Sequence, residues 1–232
     1  MNLLQETIIA PATIPGTGAI TVIRLSGPEA IRIADGLVRL RRGSVAAMKG
    51  YTVRYGSIFD GSRHIDDVLV SVFRAPHSYT GEDSVEISCH ASSYIAGEII
   101  RLCIDAGARS AAPGEFTERA FLAGKMDLAE AEAVADLISS TTSAAHKVAD
   151  AQMRGGFSAE LKVMREKLLE MCSLLELEID FSEEDVEFAE RDRLALLIEK
   201  SRASIDSLAS TFREGNAIRN GVPVTIAGAA TA

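Results

Sequence analysis

Tryptophan is absent from this sequence, and aromatic residues make up only 5% of its 232 positions. The core must be drawn from the 47% of residues that are hydrophobic, so it is expected to be aliphatic and rich in alanine. Cysteine is scarce too. Cys89, Cys103 and Cys172 are odd in number, far apart and in no C-x-x-C spacing. That argues against a disulfide framework and a zinc site, and it suits a reducing compartment. Positive charge is in deficit, with 24 Lys and Arg against 33 Asp and Glu, a net charge of −9. A surface that grips nucleic acid all round is thereby excluded, although a local basic patch or a partner domain remains open to RNA. No stretch approaches the roughly 20 apolar residues of a membrane span. The N-terminus has neither the basic segment nor the long apolar run of a signal peptide. A cytoplasmic protein with no membrane partner and no metal site is expected.

What is present divides the chain in two. Up to about residue 115, short apolar runs alternate with Gly and Pro. Ala19 to Leu25 (AITVIRL) is a β-branched run and predicts a strand. Ser26-Gly27-Pro28 opens a helix whose apolar face is Ala30, Ile31, Ala34, Leu37 and Val38, with Arg39, Arg41 and Arg42 as its basic end. Tyr51 to Phe59 and Val68 to Phe73 predict a hairpin around Asp60-Gly61-Ser62. Ser84 to His90 alternates cleanly: Val85, Ile87 and Cys89 on one face, Glu86, Ser88 and His90 on the other. A helix from Ser92 or Ser93 to Ala106, closed by Gly107, follows, with a short strand near Ser110. This order predicts an α+β fold class, a mixed-sheet N-terminal domain followed by a helical-bundle domain. The boundaries expected are 1–118, 119–216 and 217–232.

The stretch from Pro113 to Ile138, PGEFTERAFLAGKMDLAEAEAVADLI, joins the two parts. Phe116, Thr117 and Glu118 look like the mouth of a short helix that Gly124 ends, with Lys125 beside the break. Asp127, with Glu130 three residues on, resembles a capping box for the next helix. On these residues alone the stretch reads as a solvated domain junction. One helix is expected from Leu128 to Met153, a second from Ser158 to Asp180 with a Leu/Met stripe as bundle core, and a third from Arg191 to Arg213. Between the last two lies the acidic turn Asp180 to Asp192. Val222 to Ala227 predicts a further strand, and Gly228 after it matches the first half of a phosphate-binding loop.

Four stretches taken together resemble the bacterial and organellar tRNA modification GTPases of the MnmE (TrmE) family: Thr13–Gly27, Ser78–His90, Pro113–Ile138 and Glu178–Phe188. A fifth, Arg219–Gly228, looks like the strand entering that family's G domain. The resemblance implies an N-terminal domain similar to aminomethyltransferase folate-binding domains, forming a homodimer and binding 5-formyltetrahydrofolate or a related one-carbon tetrahydrofolate. It also implies half of a helical domain and the start of a G domain. The implied function is that of the N-terminal part of a tRNA modification GTPase. With an FAD-dependent partner protein, such an enzyme modifies the wobble uridine of certain tRNAs, using GTP, Mg²⁺ and K⁺. A stand-alone folate-dependent one-carbon transferase and a non-catalytic dimerisation and adaptor module are the alternatives. The apolar run Leu3, Leu4, Ile8 and Ile9 is the sequence feature that suits a homodimer.

By resemblance, Arg24, Glu86 and Lys125 match the family's folate contacts, and no catalytic residue is expected in this chain. A carboxylate such as Glu86 can accept the paired N–H groups of a pterin, while cations such as Arg24 and Lys125 suit the anionic glutamate tail. Tyr79 and Phe116 are candidates for packing on the ring. The sequence departs from the family pattern at Thr17, where Arg is common, at Ala91, where Gly is usual, and at Ala230 and Thr231, which replace Pro-Asn. The Gly-Lys-Ser/Thr half of the phosphate loop does not follow Gly228. An N-terminal portion of a longer parent is therefore expected, unable by itself to hydrolyse GTP.

Overall fold

A computed structural model describes residues 6–180 and 191–211, together with residues 215, 217, 225, 227 and 228. Two compact units divide between Met126 and Asp127. The first is built on a seven-stranded mixed sheet. Its strands in chain order are β1 (Ile8–Pro11), β2 (Ile20–Ser26), β3 (Val38–Leu40), β4 (Thr52–Asp60), β5 (Arg63–Phe73), β6 (Ser84–His90) and β7 (Arg109–Ser110). Across the sheet they run β3-β4-β5-β6-β2-β1-β7. All neighbours are antiparallel except β1 and β7.

Alternation along the strands sorts the two faces. Ile23, Leu25, Val70, Val85 and Ile87 are buried on one face with Ile33 and Ala34 of helix α1 (Ala30–Leu37) and with Ile99 and Cys103 of helix α2 (Ser93–Asp105). The core is aliphatic, as the lack of aromatics requires. The other face carries Arg24, Glu86, Ser88 and His90, along with the exposed Ile20, Val53, Tyr55 and Leu69. Ile8 and Ile9 are buried in their own unit rather than offered to a second subunit. Leu3 and Leu4 lie outside the described residues.

Several expectations are corrected. The first helix stops at Leu37. Val38 turns extended and pairs with Ile58, so Arg39 belongs to an edge strand and not to a basic helix end. Val38 and Leu40 alternate with Arg39 and Arg41, a period of two that a strand satisfies and a helix does not. The hairpin forms with Gly61 in the left-handed region, but β5 begins at Arg63, five residues earlier than its apolar part. Helix α3 (Glu115–Leu122) begins at Glu115, after Gly114 at φ 79°. Gly124 closes it at φ 67°, with Lys125 N–H donating to Ala120 O at 2.9 Å.

The second unit is helical: α4 (Leu128–Ser139), α5 (Ser143–Met153), α6 (Gly156–Asp180) and α7 (Arg191–Ser210). Asp127 and Glu130 form the expected capping box, each side chain accepting from the other's backbone N–H, at 2.9 and 2.8 Å. The single helix expected over 128–153 is two. Ser140 donates back to Leu137 O, and the Thr142 hydroxyl accepts from Ala145 N–H, so a hydroxyl-rich run ends one helix and caps the next. The α6 stripe was expected as bundle core. Leu161, Leu168, Cys172 and Leu175 are instead exposed, and Ala133, Ala149 and Ser201 are this unit's buried positions among the described residues. Periodicity shows which residues share a face but not what covers it. The acidic turn at 181–190 and most of the expected strand at 222–227 lie outside the described residues.

Candidate functional site

Arg24 and Glu86 face each other across the β2–β6 ladder, in register, on the face opposite α1 and α2. The guanidinium Nε donates to Glu86 Oε1 at 2.8 Å, and Nη2 forms an ion pair with the same oxygen at 2.7 Å. Both side chains are half-buried. Two aromatic rings flank the guanidinium carbon, Tyr79 at 5.4 Å and Phe116 at 5.7 Å from their centroids. These are cation–π distances. Four of the five residues expected at the site are therefore brought together, and two of them pair with each other.

Tyr79 comes from the loop between β5 and β6 and Phe116 from α3. Tyr79 Oη and Thr117 Oγ1 share a hydrogen bond of 2.9 Å that joins the two segments. Beside Phe116 a cavity of about 310 Å³ is bounded by Ala10, Arg24, Ala111, Pro113 and Phe116. Lys125 is held on the same loop as Tyr79. Its Nζ donates to Pro76 O at 3.0 Å, and a Cβ placed at Gly81 would crowd Ala123 Cβ at 3.1 Å and touch the Lys125 stem at 3.6 Å. Gly81, at φ 81°, gives the loop this close approach. Lys125 does not line the cavity. Gly228 belongs to neither helix nor strand and stands in open space.

Behind the aromatic pair lies a buried ionic network that the sequence reading missed. Arg119 of α3 is only 1% exposed. Its Nη1 donates to Glu6 O at 2.8 Å and to Glu82 at 3.1 and 3.2 Å, and its Nη2 donates to Glu115 Oε1 at 3.0 Å. Glu82 also accepts from Ser26 Oγ at 2.8 Å, and Ser26 bonds Thr80 Oγ1 at 2.6 Å. Glu115 accepts from Arg109 at 2.6 and 3.0 Å and from Ala112 N–H at 2.8 Å. The Arg109 guanidinium, then that backbone donor and Arg119, hold the Glu115 carboxyl down at about 2 against the cost of burial. The network therefore ties α3, the 78–83 loop and the end of β2 into one block, and that block carries Phe116 and Tyr79. Glu115 and Arg119 stand four apart between apolar neighbours in EFTERAF, a spacing that could have revealed the pair.

A second hollow, of about 500 Å³, lies on the same sheet face around Ile20, Tyr55, Asp67, Leu69 and His90. There Asp66 accepts from His90 N–H and bonds its Nδ1, both at 2.8 Å. No group of three or more His, Cys, Asp or Glu side chains able to hold a metal occurs among the described residues.

The arrangement suits a planar, donor-bearing ligand. Arg24 occupies one oxygen of Glu86, which leaves Oε2 as an acceptor on a half-buried carboxylate beside two ring faces. A folate fits this donor set: N–H groups for Glu86 Oε2, ring packing for Tyr79 and Phe116, and anionic groups for the cations.

Comparison with known proteins shows the family of the chain. Residues 7–125 match the family described as GTP-binding protein TrmE N-terminus, and residues 128–223 match the MnmE helical domain. A protein of Bacteroides fragilis named tRNA modification GTPase MnmE is 56% identical over 226 residues, 97% of this chain and 48% of its own length. Proteins of the same name from Christiangramia forsetii and Cytophaga hutchinsonii are each 53% identical, over 97% and 96% of this chain and 48% of their own lengths. The chain thus spans about half the length of the curated relatives it matches. By the match that covers its whole β-sheet unit, with the helical match continuing from it, the chain belongs to the TrmE N-terminus family.

Proposed function

We propose that the first unit binds a one-carbon tetrahydrofolate, such as 5-formyltetrahydrofolate, at Arg24, Glu86, Tyr79 and Phe116, with Lys125 serving the anionic tail. The observation that carries this reading is the cross-strand Arg24–Glu86 pair set between two aromatic rings, with one carboxylate oxygen left free. When bound, the folate supplies a one-carbon unit. The residues of this chain hold the ring by hydrogen bonding and packing, and their half-buried setting keeps water from competing for Glu86.

The relatives are named tRNA modification GTPase MnmE, which supports reading this chain as part of such an enzyme. We propose the same role for the parent of this chain: a cytoplasmic homodimer that acts with an FAD-dependent partner on the wobble uridine of certain tRNAs. Its G domain would use GTP with Mg²⁺ and K⁺, and Gly228 would stand at the start of the phosphate loop. The 232-residue sequence holds no G-x-x-x-x-G-K-[ST] motif. The chain assayed alone should therefore show no GTPase rate above buffer.

Calorimetric titration with 5-formyltetrahydrofolate tests the folate reading. Saturable heat with the chain, weakened roughly tenfold to a hundredfold in Glu86→Ala, is expected from the loss of an acceptor facing buried donors. No heat at millimolar ligand would leave a non-catalytic adaptor as the better reading.

A further inference from the structure

One edge of the sheet carries positive charge that no neighbouring carboxylate pairs among the described residues. Residues 36–59 contain five cations, Arg39, Arg41, Arg42, Lys49 and Arg54, and no Asp or Glu. With the chain at −9, the remaining residues sum to −14. The first unit has eleven arginines. Seven of them, Arg24, Arg32, Arg63, Arg74, Arg101, Arg109 and Arg119, form ion pairs. The other four are Arg39, Arg41, Arg42 and Arg54, and none is in an ion pair among the described residues. In a chain with an excess of acids, this segregation is not explained by a shortage of partners.

Fold geometry gathers these four. β3 is the outermost strand, Arg39 pairs in register with Ser57 of β4, and Arg54 Nη1 donates to Arg42 O at 3.0 Å. All five cations are exposed. Aromatic side chains are interleaved with them. The Arg39 guanidinium lies 4.2 Å from the Phe59 ring centroid, and that of Arg41 lies 4.9 Å from Tyr55. Tyr51 stands 69% exposed at φ 59°, a left-handed conformation that a bulky residue adopts only at a cost. Its ring meets that of Phe73 edge-on at 5.8 Å between centroids and stays exposed at the border of the cationic strip. Guanidinium groups without acid partners, prepositioned on aromatic faces beside the exposed Tyr51 ring, suit phosphates and an unstacked base. A peptide carboxylate partner would use the cations but not the exposed ring.

We infer that the β3–β4 edge is a surface for the phosphodiester backbone of RNA, with Arg41, Arg42 and Arg54 contacting phosphates and Tyr51 offering a stacking face. This rests on the reading that the parent acts on tRNA, and it assigns contact with that tRNA to the sheet unit.

The test uses the whole 232-residue chain and a fluorescein-labelled, unmodified tRNA transcript, with anisotropy followed across a salt series. Each phosphate contact contributes roughly 0.7–0.9 to the slope of log K against log salt. Arg41→Gln/Arg42→Gln/Arg54→Gln should lower the slope by about 2–3 and weaken binding roughly tenfold or more at about 0.1 M salt. The charge-matched control Arg32→Gln/Arg154→Gln/Arg202→Gln, at residues already paired with acids, should leave the slope within about 0.5 of wild type. Far-UV circular dichroism confirms that both variants fold. Tyr51→Ala should weaken binding with the slope unchanged. Three outcomes each overturn the inference: no tRNA binding by the chain, equal slopes for the two triple variants, or polyglutamate bound as tightly as tRNA at matched charge. The last would point to an acidic protein instead. Folate titration of the same samples reports on the folate site independently, so failure at this edge and failure at the folate site are distinguishable.

Discussion

Replacing Arg119 by methionine should destabilise the first unit by about 2–4 kcal/mol. Removing one partner from a buried ion pair typically costs ~3–5 kcal/mol, because the charge left behind has lost both its counter-ion and its water. Two features temper that figure here. Glu115 keeps Arg109 and the Ala112 N–H, and Glu82 keeps the Ser26 hydroxyl. One feature raises it: Glu6 O loses its one side-chain donor among the described residues, the Arg119 Nη1 at 2.8 Å. Methionine fills the volume of the arginine stem, so the cost of a cavity is largely avoided. Urea unfolding followed by tyrosine fluorescence isolates the effect, because all four tyrosines, Tyr51, Tyr55, Tyr79 and Tyr94, lie in the first unit and the chain has no tryptophan. With a slope of ~1.5 kcal/mol/M, a loss of about 3 kcal/mol lowers the midpoint by about 2 M. Arg119→Met/Glu82→Gln should lose less than the two single changes combined, since the second change removes the charge stranded by the first. A midpoint within about 0.3 M of wild type for Arg119→Met, or strict additivity in the double variant, would refute the argument that the network locks α3 to the loop.

Acid should act through the same network. The Glu115 carboxyl lies at about 2 in the folded chain, below its ordinary range, so its contribution is complete above the unfolded value near ~4.3 and is lost as pH falls toward 2. The Glu115→Gln variant should show a flatter stability profile between pH 4.5 and 2, and an unchanged profile there would contradict the assignment. Lys125→Ala should weaken 5-formyltetrahydrofolate binding only about fivefold by calorimetry, less than Glu86→Ala, because an exposed cation is screened. Asp127→Ala should cost the helical unit about 1 kcal/mol in chemical unfolding followed by circular dichroism, through loss of the capping box. Thiol labelling of the native chain should reach exposed Cys172 and spare buried Cys89 and Cys103, whose thiols burial pushes up to about 11 and about 12; one equivalent of label is expected, and three in denaturant.

The strands, the hairpin and the placement of Arg24 and Glu86 on one sheet face could be read from the sequence because a strand's period of two fixes which face each side chain takes. Pairing was another matter. Arg24 and Glu86 are 62 residues apart, and only the β2–β6 register makes them direct neighbours. Tyr79 and Phe116 are candidates in the sequence through the family resemblance and their nearness to its matched residues, yet their approach to Arg24 depends on α3 docking. That docking comes from Arg119, whose charge gives it the look of a surface residue in any linear reading. Arg39 was misplaced for a related reason: dipole logic at a helix end and period-two logic on a strand both accommodate arginine after an apolar run, and Val38 pairing with Ile58 decides between them.

The two arginine populations show how one residue type serves opposite ends in a single unit. Arg119, Arg109 and Arg24 are held by carboxylates, so they position rings and loops and have little charge left to offer a long-range partner. Arg41 and Arg42 have no such partners, so their field extends outward within roughly a Debye length of ~8–10 Å. The paired set would build a pocket for a small ligand, and the unpaired set would make a surface for a large polyanion. In the first set Arg24 lies on β2, Arg109 on β7 and Arg119 on α3, whereas the second set lies at the β3–β4 edge, with β5 between β4 and β6. The fold therefore separates the two tasks by the width of the sheet. A nucleic acid held along the edge would leave the Arg24–Glu86 pair free for its own ligand, so tRNA should not displace 5-formyltetrahydrofolate from the chain, and competition between them in a mixed titration would show that the two surfaces are not independent.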